Sequence, residues 1–305
     1  MKIPKISVIT PTFNRAGMIT EAIESVLAQE YPSFEHIIVD GLSTDGTLEI
    51  LQKFPHLKVV SDRDNGMYDA INKGLDIASG KVICILNTDD SYLPGAFTHA
   101  INLLEESGAD AVSGRAVYFL EMKNHKSVVL RNSVLLTEQV FWHEITYGDP
   151  VFNAWFFHRR VFEIIGKFDI SYRIGGDRDF LLRFALSKLK HAPLDKVVYQ
   201  YRVHEDSLSL TPNLLGFSRV ADENLRLVDQ YLNILPLNAQ ADMKRIRTRE
   251  TITAASRNLR GGAFKDAFHY AKLGCQMDAF WLIKFLFRIT TGIFRATKRK
   301  FGIYS

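Results

Sequence analysis

Val82-Ile83-Cys84-Ile85-Leu86-Asn87-Thr88-Asp89-Asp90 is the stretch that decides the fold. Its unbroken apolar run predicts a strand buried on both faces, and the run closes on two adjacent carboxylates. Open α/β sheets bind ligands at the C-terminal ends of their strands, so Asp89 and Asp90 stand where a ligand would be met. Hard divalent cations prefer carboxylate oxygen. Mg²⁺ takes one or two carboxylates and leaves its other positions to water and substrate phosphates. Taken alone, the tetrapeptide Asn87 to Asp90 reads first as a polar turn.

Toward the N-terminus the same grammar repeats. Ile6 to Thr10 predicts a β-branched strand, Pro11 to Arg15 a loop, and Ile19, Ala22, Ile23, Val26 and Leu27 a helix. His36 to Val39 is a second strand ending at Asp40, and Gly41 to Thr47 a turn that opens a helix near Leu48. Lys58 to Ser61 is a third strand, and Asp69 to Ser79 a helix leading through Gly80 into the acidic strand. Such alternation predicts a largely parallel sheet with helices on both faces. Past Pro94 the pattern loosens: Ala111 to Gly114 and Ala116 to Leu120 look like two strands, and Lys196 to Arg202 like another. Asp177 and Asp179 fall at the start of a helix carrying Phe180, Leu181, Leu182, Phe184 and Ala185, where the dipole favours an ionised carboxylate or a capping role. From Leu214 onward nearly everything reads as helix.

The chain has 305 residues, 47% of them hydrophobic, enough for a large core and an appendage. Cys84 and Cys275 form neither a disulfide framework nor a metal-ligand spacing, and read as buried, reduced thiols. The apolar run Ile6 to Ile9 is too short for a signal peptide, so no export signal is expected. Residues 280–305 hold six Lys or Arg and no acid, which exceeds the net charge of +4 for the whole chain. The rest is therefore slightly acidic, which excludes a nucleic-acid-binding body.

Four segments carry a resemblance: Val8 to Arg15, Ile38 to Thr47, Asp64 to Gly74, and Leu86 to Asp90. Together they resemble the inverting family 2 glycosyltransferases of the bacterial surface-polysaccharide type. Gly166 to Asp169, Gly175 to Asp177 and Tyr201 to His204 extend the resemblance less tightly. It implies an α/β, GT-A nucleotide-diphospho-sugar transferase fold, with a mostly parallel central sheet and helices on both faces. The catalytic domain is expected over residues 1–212 and a C-terminal helical extension over 213–305.

The resemblance further implies that Asp89 holds a divalent cofactor, Mg²⁺ or Mn²⁺, helped by Asp90, Asn87 and His204. Asn87 departs from the family's usual Asp. Asp177 matches the general base, although Gly176 stands where the family places Glu. The nucleotide-sugar donor, expected to be UDP-linked, would be bound by Pro11, Thr12, Phe13, Asn14, Arg15 and Asp40, and by Asp64, Asp69, Asn72 and Lys73. Core packing is the alternative for Phe13, and a solvated helix face for Asp69 and Lys73. The acceptor is expected to be a hydroxyl of a glycan or lipid-linked molecule. Trp142, His143, Tyr147 and Trp155 suit either stacking on a sugar ring or a core.

Two other readings fit parts of the pattern. A nucleotidyltransferase can share the fold and the acidic pair, but Pro11 to Arg15 is not a Gly-rich triphosphate loop. A non-catalytic sugar-nucleotide binding module would keep Asp40 and lose the base. In the tail, Lys284, Arg288, Thr291, Arg295 and Lys298 follow one helical face while Leu282, Leu286, Ile289 and Ile293 follow another. Its charges argue against a span and for a helix lying on an anionic membrane. Docking against the protein or a dimer partner is the alternative. The expected location is the cytoplasm, on the inner face of the cytoplasmic membrane.

Overall fold

Ile6, Val8, Ile9, Ile37, Ile38 and Val39 have no solvent-exposed surface, as expected of parallel strands covered on both sides. The computed structural model describes residues 3–121, 127–203 and 214–288. His204 and tail residues 289–305 lie outside the described residues. Two compact units are present, Met1–Leu210 and Thr211–Ser305.

In the first unit β1 (Ile6–Thr12), β2 (Phe34–Asp40), β3 (Leu57–Ser61) and β4 (Val82–Ile85) run parallel in the order β3-β2-β1-β4. The sheet continues through β8 (Trp155–His158), β6 (Ala111–Glu121), β9 (His191–Val203) and the two-residue β5 (Ser91–Tyr92), with β7 (Ser127–Asn132) beside β6. There β6 and β9 are parallel and the other pairings antiparallel. The two strands expected over Ala111 to Gly114 and Ala116 to Leu120 are one strand. Register shifts flank Arg115, and a Cβ on Gly114 would lie 2.3 Å from Val198 Cγ2, so the interruption is a bulge against β9.

The two faces take different helices. Val8, Cys84, Val112 and Phe156 point to one side, where α1 (Ile19–Leu27) supplies Ala22 and Val26, and α4 (Ala96–Ser107) supplies Phe97, Ala100 and Ile101. A short α2 (Thr47–Leu51) adds Leu51 beside Ile19, Ile23 and Ile38. On the other side α3 (Met67–Ile77) approaches through Gly74, where a Cβ would meet Ile9 Cγ2 at 2.5 Å. Beyond α5 (Glu138–Thr146) and α6 (Arg160–Ile165), α7 (Gly176–Leu186) brings Phe180 against Phe168 and Phe157, with centroids 4.8 and 5.4 Å away. Trp155, stacked on Phe157, is fully buried and belongs to the core.

The second unit consists of α8 (Leu214–Tyr231), α9 (Leu237–Arg260), α10 (Phe264–Met277) and a helical turn pair at 281–288. Its core gathers Ala221, Leu225, Ile252, Ala255, Tyr270 and Trp281. Cys84 is buried as expected, whereas Cys275 is exposed because its position on α10 turns it away from that core. Among the described residues no helix is long and apolar enough to cross a membrane.

One charge is buried at the N-terminal edge of the sheet. Glu35 accepts hydrogen bonds from Ser7 Oγ at 2.5 Å, Ser79 N at 2.6 Å and Lys5 Nζ at 3.1 Å, with Lys58 also bound. Burial alone would raise its carboxyl, but the bonds from Lys58, Ser7 and Ser79 hold it well below the usual range. Its contribution to stability is thus present above the ordinary glutamate pKa of about 4.3 and is lost as pH falls toward the folded value. Glu35→Ala removes the acceptor shared by the buried Ser7 hydroxyl and the Ser79 N–H, and urea denaturation at neutral pH should show a loss of about 1–3 kcal/mol.

Candidate functional site

Because β1, β2 and β4 are parallel, their C-terminal ends share one edge, with Thr12 paired to Asp40 and Asp40 to Ser61. The loop after β1 is folded onto the loop after β2. Asn14 adopts a left-handed φ of 53°, a conformation asparagine tolerates better than most residues. Its N–H donates to Ser43 Oγ at 2.8 Å, and its Oδ1 accepts from Thr44 N at 2.8 Å. Arg15 N donates to Thr47 Oγ1 at 2.9 Å and Ala16 N to Asp45 Oδ2 at 3.0 Å. The side chain of Thr12 is buried, whereas Phe13 is 57% exposed and stands out of the core.

Asp40 sits beneath this double loop with no exposed surface. Its Oδ2 accepts from Ser43 N at 3.0 Å and Ser61 Oγ at 2.7 Å, and its Oδ1 from the Ser43 hydroxyl. Three donors on a carboxylate with about four acceptor positions make it a clamp for the loops. Asp64 joins the same place: a Cβ on Gly41 would lie 2.5 Å from Asp64 Oδ2 and 3.4 Å from the Phe13 ring. Only glycine at 41 allows that approach. The neighbouring polar residues are engaged elsewhere. Asp69 accepts from Asn65 N at 2.9 Å, and Lys73 bonds Asp62 at 2.9 Å. Asn72 exchanges two hydrogen bonds with the Phe168 backbone, at 2.9 and 3.0 Å, and so fastens α3 to the segment before α7.

The acidic turn divides its two carboxylates. Asp90 is buried and accepts from Tyr199 Oη at 2.8 Å, Arg202 N at 2.8 Å and Asn87 Nδ2 at 3.4 Å. Burial, then the charge of Asp89, pushes its carboxyl up, and the bonds from Arg202 and Tyr199 oppose the shift. Arg202 Nε also donates to the Asp89 carbonyl at 3.0 Å, while its guanidinium pairs with Glu21 and Glu121. Asp89 is half-buried at the tip of the turn. Tyr199 and Arg202 are contributions the sequence reading did not assign. Arg202 is marked only as part of the Tyr201 to His204 segment and as a cation within an apolar strand, and nothing marks Tyr199.

Asp177 and Asp179 divide in the same way. Asp179 is 2% exposed and bonded to Arg183 Nε at 2.9 Å. Asp177 is half-buried, and its own N–H donates to Tyr68 Oη at 3.2 Å. The Tyr68 hydroxyl in turn donates to the Ile174 carbonyl at 2.6 Å. Burial pushes Asp177 above the usual carboxylate range, against the opposing charge of Arg178. That arginine is anchored on the carbonyls of Ile145, Thr146 and Gly148 at the end of α5. Gly176 has a local reason as well. A Cβ there would lie 2.7 Å from the Tyr68 ring, so tyrosine at 68 and a side chain at 176 exclude one another.

Among the described residues no group of three or more His, Cys, Asp or Glu gathers as a metal cage. Among the described residues Asp90 turns its carboxylate inward to Tyr199 and Arg202, so of the two acids Asp89 is the one that could meet a cation completing its shell with substrate phosphates.

A mixed α/β sheet with polar turns at the ends of its parallel strands, followed by helices, defines a GT-A transferase fold. TarS of S. aureus in complex with UDP-GlcNAc matches at a TM-score of 0.57 and 18% identity, covering 88% of this chain and 90% of that one. The mannosyltransferase PcManGT of Pyrobaculum calidifontis, in complex with GDP-Man and Mn²⁺, gives a TM-score of 0.57 at 18% identity over 92% and 85%. A PGL/p-HBAD biosynthesis glycosyltransferase of Mycobacterium tuberculosis is 31% identical over 192 residues, 60% of this chain and 70% of its own length. The succinoglycan biosynthesis protein ExoO of Rhizobium meliloti is 29% identical over 224 residues, 68% and 63% of the two chains. Residues 7–166 match Glycosyl transferase family 2, and the chain belongs to that family.

Tyr68→Phe tests how Asp177 is held. Removing the hydroxyl leaves the Asp177 N–H and the Ile174 carbonyl without that partner, a loss expected at about 1–3 kcal/mol in thermal or urea unfolding. An unchanged midpoint would show that the hydroxyl does not hold this helix start.

Proposed function

We propose that this glycosyltransferase is inverting, and that it moves a sugar from a UDP-linked donor to a hydroxyl of a glycan or lipid-linked acceptor during assembly of bacterial surface polysaccharide or glycolipid. The observation that carries the reading is the difference in burial within each acidic pair: Asp90 and Asp179 are buried, whereas Asp89 and Asp177 are only half-buried at the edge of the sheet. The names of relatives in PGL/p-HBAD and succinoglycan biosynthesis support the acceptor class. The UDP-GlcNAc complex of TarS supports the donor class, whereas PcManGT is in complex with a GDP sugar.

In this reading the acceptor hydroxyl lies against Asp177, whose carboxylate takes its proton as the acceptor oxygen bonds to the anomeric carbon. The bond from that carbon to the diphosphate oxygen breaks in the same displacement. Asp89 would hold Mg²⁺ or Mn²⁺, with Asn87 and Asp90 shaping the turn and His204 as a further ligand. The ion supplies Lewis-acid stabilisation of the charge on the departing diphosphate. Phe13, with its exposed ring, and Asp64 face the nucleotide, while Pro11, Thr12, Asn14, Arg15 and Asp40 shape the double loop that receives it. Asp69, Asn72 and Lys73 belong to a second donor-binding stretch, which their bonds to Asn65, Phe168 and Asp62 hold in place. The protein works in the cytoplasm, on the inner face of the membrane.

Two measurements examine this. Asp177→Asn should lower turnover about 10²–10⁴-fold while calorimetry shows unchanged UDP binding. Because burial raises the Asp177 carboxyl, the base form is lost at a higher pH than usual, so native activity should fall on acidification above the ordinary pKa of about 3.9. An Asp177→Asn enzyme with near-native turnover would remove the base assignment. Second, anomeric coupling in the product's NMR spectrum should show that an α-linked donor yields a β-linked product. Preservation of the donor's configuration would overturn the single displacement.

A further inference from the structure

Within the helical unit, α9 and residues 278–288 line an open cavity of about 1000 Å³. From α9 come Lys244, Arg245, Arg247, Arg249 and Arg260. The helical residues at 281–288 add Lys284 and Arg288, and Asp278 is the one acid in the wall. Some of these cations are paired. Arg245 bonds Asp242 at 2.8 Å, Arg249 bonds Glu250 at 2.9 Å, Lys284 bonds Asp278 at 2.6 Å, and Arg247 pairs with Asp229. Among the described residues the wall carries seven cations and one acid, a surplus of positive charge on a concave surface. Beyond residue 288 the sequence adds Arg295, Lys298, Arg299 and Lys300 and no acid.

The second feature is apolar and adjoins the first. Trp281 is fully buried; its indole N–H donates to Thr251 Oγ1 at 2.8 Å and its ring stacks on Phe285 at 4.8 Å. A Cβ on Gly274 would lie 2.1 Å from Trp281 Nε1, so glycine there opens the slot that the indole fills. Asp278 caps the turn by accepting from Phe280 N at 2.9 Å. With one side of the helix pinned in this way, the other large side chains point out: Phe280 is 66% exposed, Leu282 55%, Ile283 65% and Phe287 70%. Phe280 and Phe287 also line the basic cavity.

An exposed cluster of large apolar side chains signals an interaction surface. A polyanion in water would be served by the cations and gain nothing from these rings and aliphatic groups. A neutral apolar partner would reject the cations. A bilayer with anionic headgroups uses both, with phosphate against the cations and acyl boundary against the apolar side chains.

We propose that the α9 cavity and the helical residues 281–288 form a docking site for an anionic phospholipid bilayer, with a headgroup phosphate in the cavity and Phe280, Leu282, Ile283 and Phe287 entering the acyl boundary. This deepens the membrane location proposed above by assigning it a site, and it stands apart from the transfer chemistry.

The test is co-sedimentation of the full chain with vesicles of phosphatidylcholine alone or mixed with phosphatidylglycerol. Binding should occur only to the mixed vesicles and weaken as salt is raised. Lys244→Glu combined with Arg260→Glu should reduce it by about thirty-fold or more, as about 1 kcal/mol per basic residue near the surface implies. Phe280→Ser should reduce it at constant charge. Circular dichroism should show native helicity in both variants, and their transfer to a soluble acceptor should match that of the native enzyme, so loss of docking is read separately from loss of transfer. Equal binding to both vesicle types, unchanged binding of the variants, or no binding together with light scattering that shows the face buried in a dimer would each overturn the proposal.

Discussion

The carboxylate of Asp90 is the constraint on which the site rests. It is buried at the end of β4, where burial pushes the acid up and a polar group left without hydrogen-bond partners is costly. Its donors come from β9, more than a hundred residues later, as the hydroxyl of Tyr199 and the N–H of Arg202. The late strand therefore docks beside the acidic turn. Because Arg202 also reaches the Asp89 carbonyl, Glu21 and Glu121, the same residue ties the turn to α1 and β6.

The same division of labour recurs across the edge of the sheet. Asp40 clamps the loops after β1 and β2, and Asp179 is paired with Arg183 inside α7. In each acidic pair one member is satisfied internally and the other is left half-buried on a rigid element. Such an arrangement helps to position the more accessible carboxylate through the bonds of its neighbour. Tyr68 adds to this by bonding to the backbone at Asp177 while its ring occupies the volume that any side chain at 176 would need. The departure from the family at Gly176 is thereby coupled to a tyrosine more than a hundred residues away.

The helical unit follows a different logic. Its core is small, and the indole of Trp281 between α9 and α10 orients the basic, apolar-faced helix that follows. The amphipathic pattern of residues 282–288 was visible in sequence. The basic wall opposite it, from Lys244 to Arg260, lies on a separate helix.

What the sequence by itself determined is local. The apolar runs of β1, β2 and β4, the helical spacing of Ile19 to Val26 and the polar turns at strand ends specify a β/α fold, because periodicity and burial on both faces are properties of short windows. The motifs from Val8 to Asp90 carried the family as well, since each sits within one strand and the loop that follows it. Tertiary structure alone decided which member of each carboxylate pair is consumed, that Phe13 stands outside the core, that Ala111 to Glu121 is one bulged strand, and that Cys275 is exposed. The physical reason is the same in every case. A side chain's burial and its hydrogen-bond partners are set by elements distant in the chain, as when Tyr199 and Arg202 claim Asp90 and the ring of Tyr68 claims the space beside Gly176.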